Sequence, residues 1–284
     1  MRLESGSPIN VLKPLFIAKK PLIESSQNPL VKYVRRLHQA SERKTLGLFL
    51  VEGTHSVQEA LAARWPMESV FYTKRWIERG EIGLDKFSTK VRCEQVPDSV
   101  LKSMATTEQP DGVVAVAMFK PSEEAFRKFL KPRSLAVAVD ALQDPGNLGS
   151  LIRSAAAAGG DGIYLGAGSI DPSNPKVLRA SAGLWFRSPP RPVDLPIWLA
   201  KCKTDGMQVL LAKSGGKTYW DFDLKRPTVF LLGNEGGGVS REIESLADDT
   251  ISIPMQPVVE SLNVAMTGTL LMYEAMRQRL KTEA

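Results

Sequence analysis

Three polar turns carry the residue types that could bind and activate a ligand. The first runs Asp140-Ala-Leu-Gln-Asp-Pro-Gly-Asn-Leu-Gly-Ser-Leu-Ile-Arg153 and the second Leu232-Gly-Asn-Glu-Gly-Gly-Gly-Val-Ser240. The third runs Ile253-Pro-Met-Gln-Pro-Val-Val-Glu-Ser-Leu-Asn263. Each places glycine, proline or asparagine where an apolar stretch ends. Loops of this kind gathered at one sheet edge suit a ligand held largely by main-chain groups, because glycine lets a ligand approach the backbone. Arg153 could add a fixed positive charge, and it could point across a subunit or domain interface. It lies six residues from Asn147, so the two do not share a helical face. A surface arginine paired with a carboxylate is the plainer use of such a residue. The glycines at 233–238 first suggest a phosphate cradle. No Lys-Ser/Thr pair closes them, however, and neither their spacing nor their place in the chain fits a dinucleotide fingerprint. A tight strand-to-helix turn needs the same glycines.

The 284 residues suffice for two ordinary domains, and 43% hydrophobic with 24% charged content is ordinary for a globular chain. No apolar run is long enough to span a bilayer. Residues 1–20 are basic, broken by Pro8 and Pro14, and read as a flexible tail rather than a secretory signal. Two cysteines and two histidines offer neither a disulfide framework nor zinc spacing, which fits a reducing, cytoplasmic setting. The net charge of +6 is uneven. Residues 1–133 hold 22 basic against 15 acidic side chains, whereas 134–284 hold 15 against 16. A basic, polyanion-binding module joined to a near-neutral one follows, with nucleic acid favoured over a merely soluble basic surface.

The elements that must position these turns fall into two α/β units. Over 21–118, Pro29 to Ala40 is predicted as a helix with Leu30, Val31, Val34 and Leu37 on one face and Lys32, Arg35 and Arg36 on the other. Strands are expected at Leu48–Val51, Ser69–Tyr72 and Val113–Ala117, with a helix ending near Ala63. Residues 119–133 read as a helical or extended linker. From Ser134 the pattern alternates. Strands are expected at Leu135–Val139, Gly162–Leu165, Gln208–Ala212, Val229–Leu232 and Ile251–Ile253. Helices are expected at Leu148–Ala158 behind an Asn147 cap, at Asn174–Phe186, at Ile197–Thr204, from Ser240, and at Leu262–Leu280. Such alternation argues for a mostly parallel sheet covered by helices on both faces.

Taken together and in order, the three turns resemble the motifs of the SpoU/TrmH-type RNA ribose methyltransferases of the SPOUT superfamily. The first is similar to that family's Asp-Pro-x-Asn-x-Gly…Arg signature, the second to its Gly-x-Glu-Gly-x-Gly loop, and Ser261-Leu-Asn-Val264 to its last motif. Ser26-Gln-Asn-Pro29, Phe49-Leu-Val-Glu-Gly53 and Gln109-Pro-Asp-Gly-Val-Val-Ala115 resemble the family's accessory substrate-binding domain. The likeness spans roughly residues 22–282. One departure is Gln256-Pro-Val-Val-Glu260, where many members carry glycine; Pro257 stiffens this stretch and puts its path in question.

The resemblance implies an α/β fold with a SPOUT trefoil-knot domain at 134–284 and a smaller L30e-like α/β domain at 21–118. It implies a homodimer with active sites at the subunit interface. It further implies that S-adenosyl-L-methionine binds against Gly233, Ile253 and Leu262, with Leu232, Asn234, Glu235 and Gly236 of the same loop. Asn147, Arg153, Glu235, Ser261 and Asn263 would form the catalytic and RNA-positioning group. The reaction would be methyl transfer to a ribose 2′-hydroxyl, with no metal required. Ribosomal RNA is the favoured substrate, and tRNA or a non-catalytic RNA-binding factor are the alternatives. Arg153 is read as an electrostatic stabiliser, since a guanidinium does not readily give up its proton. For Ser261 and Asn263, capping of the last helix is the plainer use, and for Ser261 cap and site function weigh equally. Lys32, Arg35, Arg36, Arg43 and Lys44 would grip RNA phosphates. Trp185 and Phe186, in a segment resembling an interface helix of the family, are read as packing residues. No membrane association is expected; the cytoplasm is the favoured location, with an organelle as the alternative.

Overall fold

A computed structural model describes residues 23–119, 134–234 and 236–280. The tail, all of the linker but Phe119, and Glu235 lie outside the described residues.

The first unit begins with α1 (Pro29–Arg36) and α2 (Ala40–Leu46), followed by β1 (Leu48–Glu52) and α3 (Thr54–Ala62). It continues through β2 (Met67–Tyr72), α4 (Lys74–Glu78), β3 (Arg92–Gln95), α5 (Asp98–Met104) and β4 (Val113–Met118). Its sheet has the order β1-β4-β2-β3, antiparallel except for β2 with β3. Strand alternation splits the apolar residues. Leu50, Phe71, Val114 and Val116 face a layer with Val31, Val34 and Leu101, while Phe49, Val51, Val70 and Ala115 face the other way.

The predicted helix over Pro29–Ala40 ends at Arg36, and a second helix starts at Ala40. Asn28 caps the first through its side chain, which accepts the Leu30 N–H at 2.9 Å. The chain turns at Leu37, which is fully buried, restarts from an extended Gln39, and stops at Gly47 in the left-handed region. That restart carries Arg43 inward, which corrects its assignment to an RNA-facing surface. Only 2% of Arg43 is exposed. Its guanidinium donates to Asp171, to Ser173 Oγ at 3.1 Å and to the Leu37 and His38 carbonyls at 2.8 and 3.0 Å. Arg43→Ala is expected to cost on the order of 3 kcal/mol, because it strips a half-buried carboxylate of its partner. A lower urea midpoint at unchanged slope is the expected readout.

The second unit runs β5 (Leu135–Val139), α6 (Pro145–Ala157), β6 (Gly162–Leu165), α7 (Pro175–Ala180), β7 (Arg191–Pro192) and α8 (Leu195–Thr204). It ends with β8 (Gln208–Thr218), β9 (Thr228–Leu232), α9 (Arg241–Glu244), β10 (Asp249–Ser252) and α10 (Val264–Leu280). The sheet is parallel throughout, in the order β10-β8-β9-β5-β6-β7. Both faces are covered. Leu135, Val137, Phe230 and Leu232 pack with Leu151 of α6 and Leu271 of α10. Ala136, Ala138, Val229 and Leu231 pack under Trp198 and Ile243. Gly268 lets α10 settle onto the sheet, for a Cβ there would come within 2.5 Å of Leu151 and 3.1 Å of Leu232.

The predicted helix Asn174–Phe186 ends early. Asn174 is its N-cap, its side chain accepting the Lys176 N–H, but Ala182 and Gly183 take positive φ, and Leu184–Phe186 form a separate turn. The break swings Trp185 and Phe186 into the first unit. Trp185 lies 5.1 Å, ring to ring, from both Phe49 and Trp65, and Phe186 lies 5.6 Å from Trp65. Arg179 donates to buried Glu52 at 2.8 Å across the same junction. The two units therefore share one continuous core. No helix among the described residues is long and apolar enough to cross a membrane.

Candidate active site

Three strands of the parallel sheet end together. β8, β9 and β10 lead into a cleft of about 880 Å³, at the carboxyl edge where open parallel sheets bind ligands. The glycine-rich loop after β9 is folded on itself. Asn234 and Gly238 exchange backbone hydrogen bonds at 3.1 Å, and Asn234 Oδ1 accepts the Gly236 and Gly237 N–H groups at 2.9 and 2.6 Å. Gly233 is required by close approach rather than by its φ. A Cβ there would lie 2.6 Å from both Gly238 O and Val239 N.

The turn after β5 is capped by Asp144, whose side chain accepts the Asn147 N–H at 2.7 Å. The expected Asn147 cap is thus corrected: Pro145 suits the first helical position, so the helix starts one residue after Asp144. Asn147, inside the first turn, accepts through its Oδ1 from Asn263 Nδ2 at 2.9 Å. Asn263 also caps α10, its Oδ1 accepting the Ala265 and Met266 N–H groups at 2.9 and 3.3 Å. One asparagine therefore starts the last helix and ties the first turn to the third.

Of the sequence-derived candidates, Leu232, Gly233, Asn234, Ile253, Ser261, Leu262 and Asn263 line the cleft, and Asn147 adjoins it through Asn263. Gly236 belongs to the loop but is not among the lining residues. Arg153 is exposed and away from the lining; it makes no hydrogen bond or ion pair among the described residues. Of the phosphate-gripping candidates, Lys32, Arg35, Arg36 and Lys44 are exposed, with Arg36 paired to Glu42 at 2.6 Å. The stretch without glycine, Gln256–Glu260, makes a turn in which Val259 N–H donates to Gln256 O at 2.9 Å.

The wall from β8 was missed. The strand was expected to stop at Ala212, yet β10 pairs with Leu210 and Leu211 and then, after a register jump, with Lys217 and Thr218. Residues 212–216 leave the ladder and border the cleft through Ala212, Lys213 and Ser214. Lys213 Nζ donates to Glu244 Oε1 at 2.6 Å. The signal was present, since Lys213-Ser-Gly-Gly216 is a fourth glycine-bearing turn after an apolar strand.

The cleft fits a methyl donor of the size of S-adenosylmethionine. Its volume lies in the range of small-ligand sites, its wall at Gly233 is closed main chain, and Leu211, Leu232, Ile253 and Leu262 supply apolar faces. No group of three or more His, Cys, Asp or Glu side chains among the described residues is placed to hold a metal.

The comparisons with known proteins agree with this geometry. The SpoU rRNA Methylase family matches residues 134–273, and the MRM3-like substrate binding domain matches residues 28–115. An uncharacterised tRNA/rRNA methyltransferase of Synechocystis is 40% identical over 90% of this chain and 94% of its own length. The 23S rRNA (guanosine(2553)-2′-O)-methyltransferase RlmP of Bacillus subtilis is 33% identical over 88% of this chain and 97% of its own. The AdoMet-bound rRNA methyltransferase of Sinorhizobium meliloti superposes with a TM-score of 0.82 at 29% identity, covering 90% of this chain and 97% of that one. The fold and site define an RNA methyltransferase with an added substrate-binding unit. The chain belongs to the SpoU rRNA methylase family.

Proposed function

We infer that this chain transfers the methyl group of S-adenosylmethionine to a ribose 2′-hydroxyl of ribosomal RNA. The observation that carries the reading is the convergence of turns from β8, β9 and β10 on one cleft, to which the Asn147–Asn263 hydrogen bond ties the turn after β5. When bound, the donor supplies a methyl group on a positively charged sulfur, already an activated leaving group. The protein's work is then to align the ribose oxygen with that methyl and to stabilise the charge growing on the oxygen as the hydroxyl proton passes to solvent. Asn263 and Ser261 stand at the cleft to orient the ribose, and Asn147 holds Asn263 in register.

Arg153 acts in the site of a second copy. Ser150, Arg153 and Ala157 are exposed on α6, beside an α10 whose Met266, Leu270 and Tyr273 are 63%, 41% and 46% exposed. Spacings of four and three put these three on one helical stripe. Such an apolar stripe suits a homodimer, in which Arg153 of one subunit reaches the cleft of the other. The chain after β10 returns from the sheet edge past the excursion at 212–216, with Ser214 Oγ donating to Glu260 O at 3.4 Å, before α10 packs on the central strands. That path supports a trefoil knot. The domains are taken as 21–118 for RNA binding and 134–284 for catalysis, acting in the cytoplasm.

Lys32, Arg35, Arg36 and Lys44 grip phosphates. Replacing all four with alanine is expected to weaken RNA binding and to flatten the slope of log affinity against log salt by roughly three. Donor affinity should not change. The target is tested by mapping ribose methylations in a strain lacking the gene against its parent. Loss of one site in ribosomal RNA supports the reading; loss confined to tRNA, or no loss, contradicts it.

A further inference from the structure

Asp140 holds both ends of the glycine-rich loop without lining the cleft. Its backbone N–H donates to Leu232 O at 2.9 Å, where β9 ends. Its Oδ2 accepts the Ser240 N–H at 3.0 Å, where α9 begins. Between these two anchors lie Gly233 and the self-closed turn from Asn234 to Gly238. The residue after it, Ala141, has φ 53, a left-handed conformation that strains any residue with a side chain and that gathers at functional sites. The strained turn is braced from its far side. Leu142 N–H donates to Ser169 Oγ at 3.1 Å, and Gln143 Nε2 donates to Gly168 O.

We propose that Asp140 is a positioning residue for the donor-binding loop: its carboxylate fixes the Ser240 end, so that Gly233, Asn234 and the stretch 236–239 keep the shape that receives the donor. The proposal rests on the reading of this cleft as the S-adenosylmethionine site. Ser240 is exposed, so water can satisfy its N–H when the carboxylate is removed, and the fold tolerates the loss. What goes is the tether, a charge-assisted hydrogen bond between segments one hundred residues apart.

The test is isothermal titration of S-adenosylmethionine into the full-length protein. Asp140→Ala should weaken binding roughly tenfold, equivalent to about 1.4 kcal/mol. Asp140→Asn keeps an oxygen acceptor at the same place and should recover most of the affinity. Ser240→Pro removes the same bond from its other end. Ser240 already has φ −61 and its side chain makes no capping bond, so proline suits the position. This variant should match Asp140→Ala, and the double variant should be no weaker than either single one. Unchanged affinity in Asp140→Ala and Ser240→Pro, or losses that add in the double variant, would overturn the proposal while leaving the donor site intact. If the unaltered protein takes up no donor, the cleft assignment itself falls, and the role of Asp140 with it.

Discussion

Gly233→Ala is expected to abolish productive donor binding while leaving the protein folded. The added methyl would sit 2.6 Å from Gly238 O and Val239 N, and both are backbone atoms that no rotamer change can move. The loop must shift by on the order of 1 Å, and a displacement of that size can cost roughly a hundredfold in rate. The loop itself is exposed over Gly236–Gly238, so the strands beneath it need not move. Equilibrium binding and turnover should both collapse, with the circular dichroism spectrum unchanged. Donor affinity within a few-fold of the unaltered protein would mean that the cleft is not walled by this loop.

Arg153→Ala should lower turnover by roughly a hundred- to a thousandfold, the usual loss when one donor to a developing oxyanion is removed. Donor affinity should hold, because Arg153 does not line its own chain's cleft. Arg153→Lys should fail as well, since a flexible ammonium does not reproduce the planar fork of a guanidinium. Near-full turnover in Arg153→Lys would remove the specific guanidinium role. The two variants can also be combined. Chains carrying only Gly233→Ala and chains carrying only Arg153→Ala are each inactive. Mixed dimers regain one intact site if Arg153 serves the neighbouring subunit, and regain nothing if it serves its own.

Much of the fold was legible because it is written in local patterns. Leu135–Val139 alternates large and small apolar residues, and the structure uses that alternation to face α6 on one side and α8 on the other. The end of α6 near Ala158 and the start of α7 at Asn174 were equally local. What escaped was set by tertiary packing. The break in Asn174–Phe186 exists because Trp185 and Phe186 gain more by burial against Phe49 and Trp65 than by continuing a helix. Arg43 has the composition of a surface cation, and nothing near it in sequence announces Asp171, 128 residues away. The cleft's sequence-marked walls were visible as glycine and asparagine at strand ends. Its β8 wall carried a similar mark in Lys213-Ser-Gly-Gly216, but the register jump that brings those residues to the cleft leaves no periodic trace. The Asn147–Asn263 bond needed coordinates as well, since residue types alone offered Asn263 as a cap or as a site residue, and the structure shows the side chain capping α10 while bonding Asn147.

The most direct measurement uses purified protein, ribosomal RNA and a donor labelled on its transferable methyl, followed by alkaline hydrolysis. Methylation of a ribose 2′-hydroxyl blocks the attack that cleaves the adjoining phosphodiester. The account predicts label in alkali-resistant dinucleotides, absent with Gly233→Ala. Label released in mononucleotides carrying a methylated base, or no incorporation at all, would contradict it.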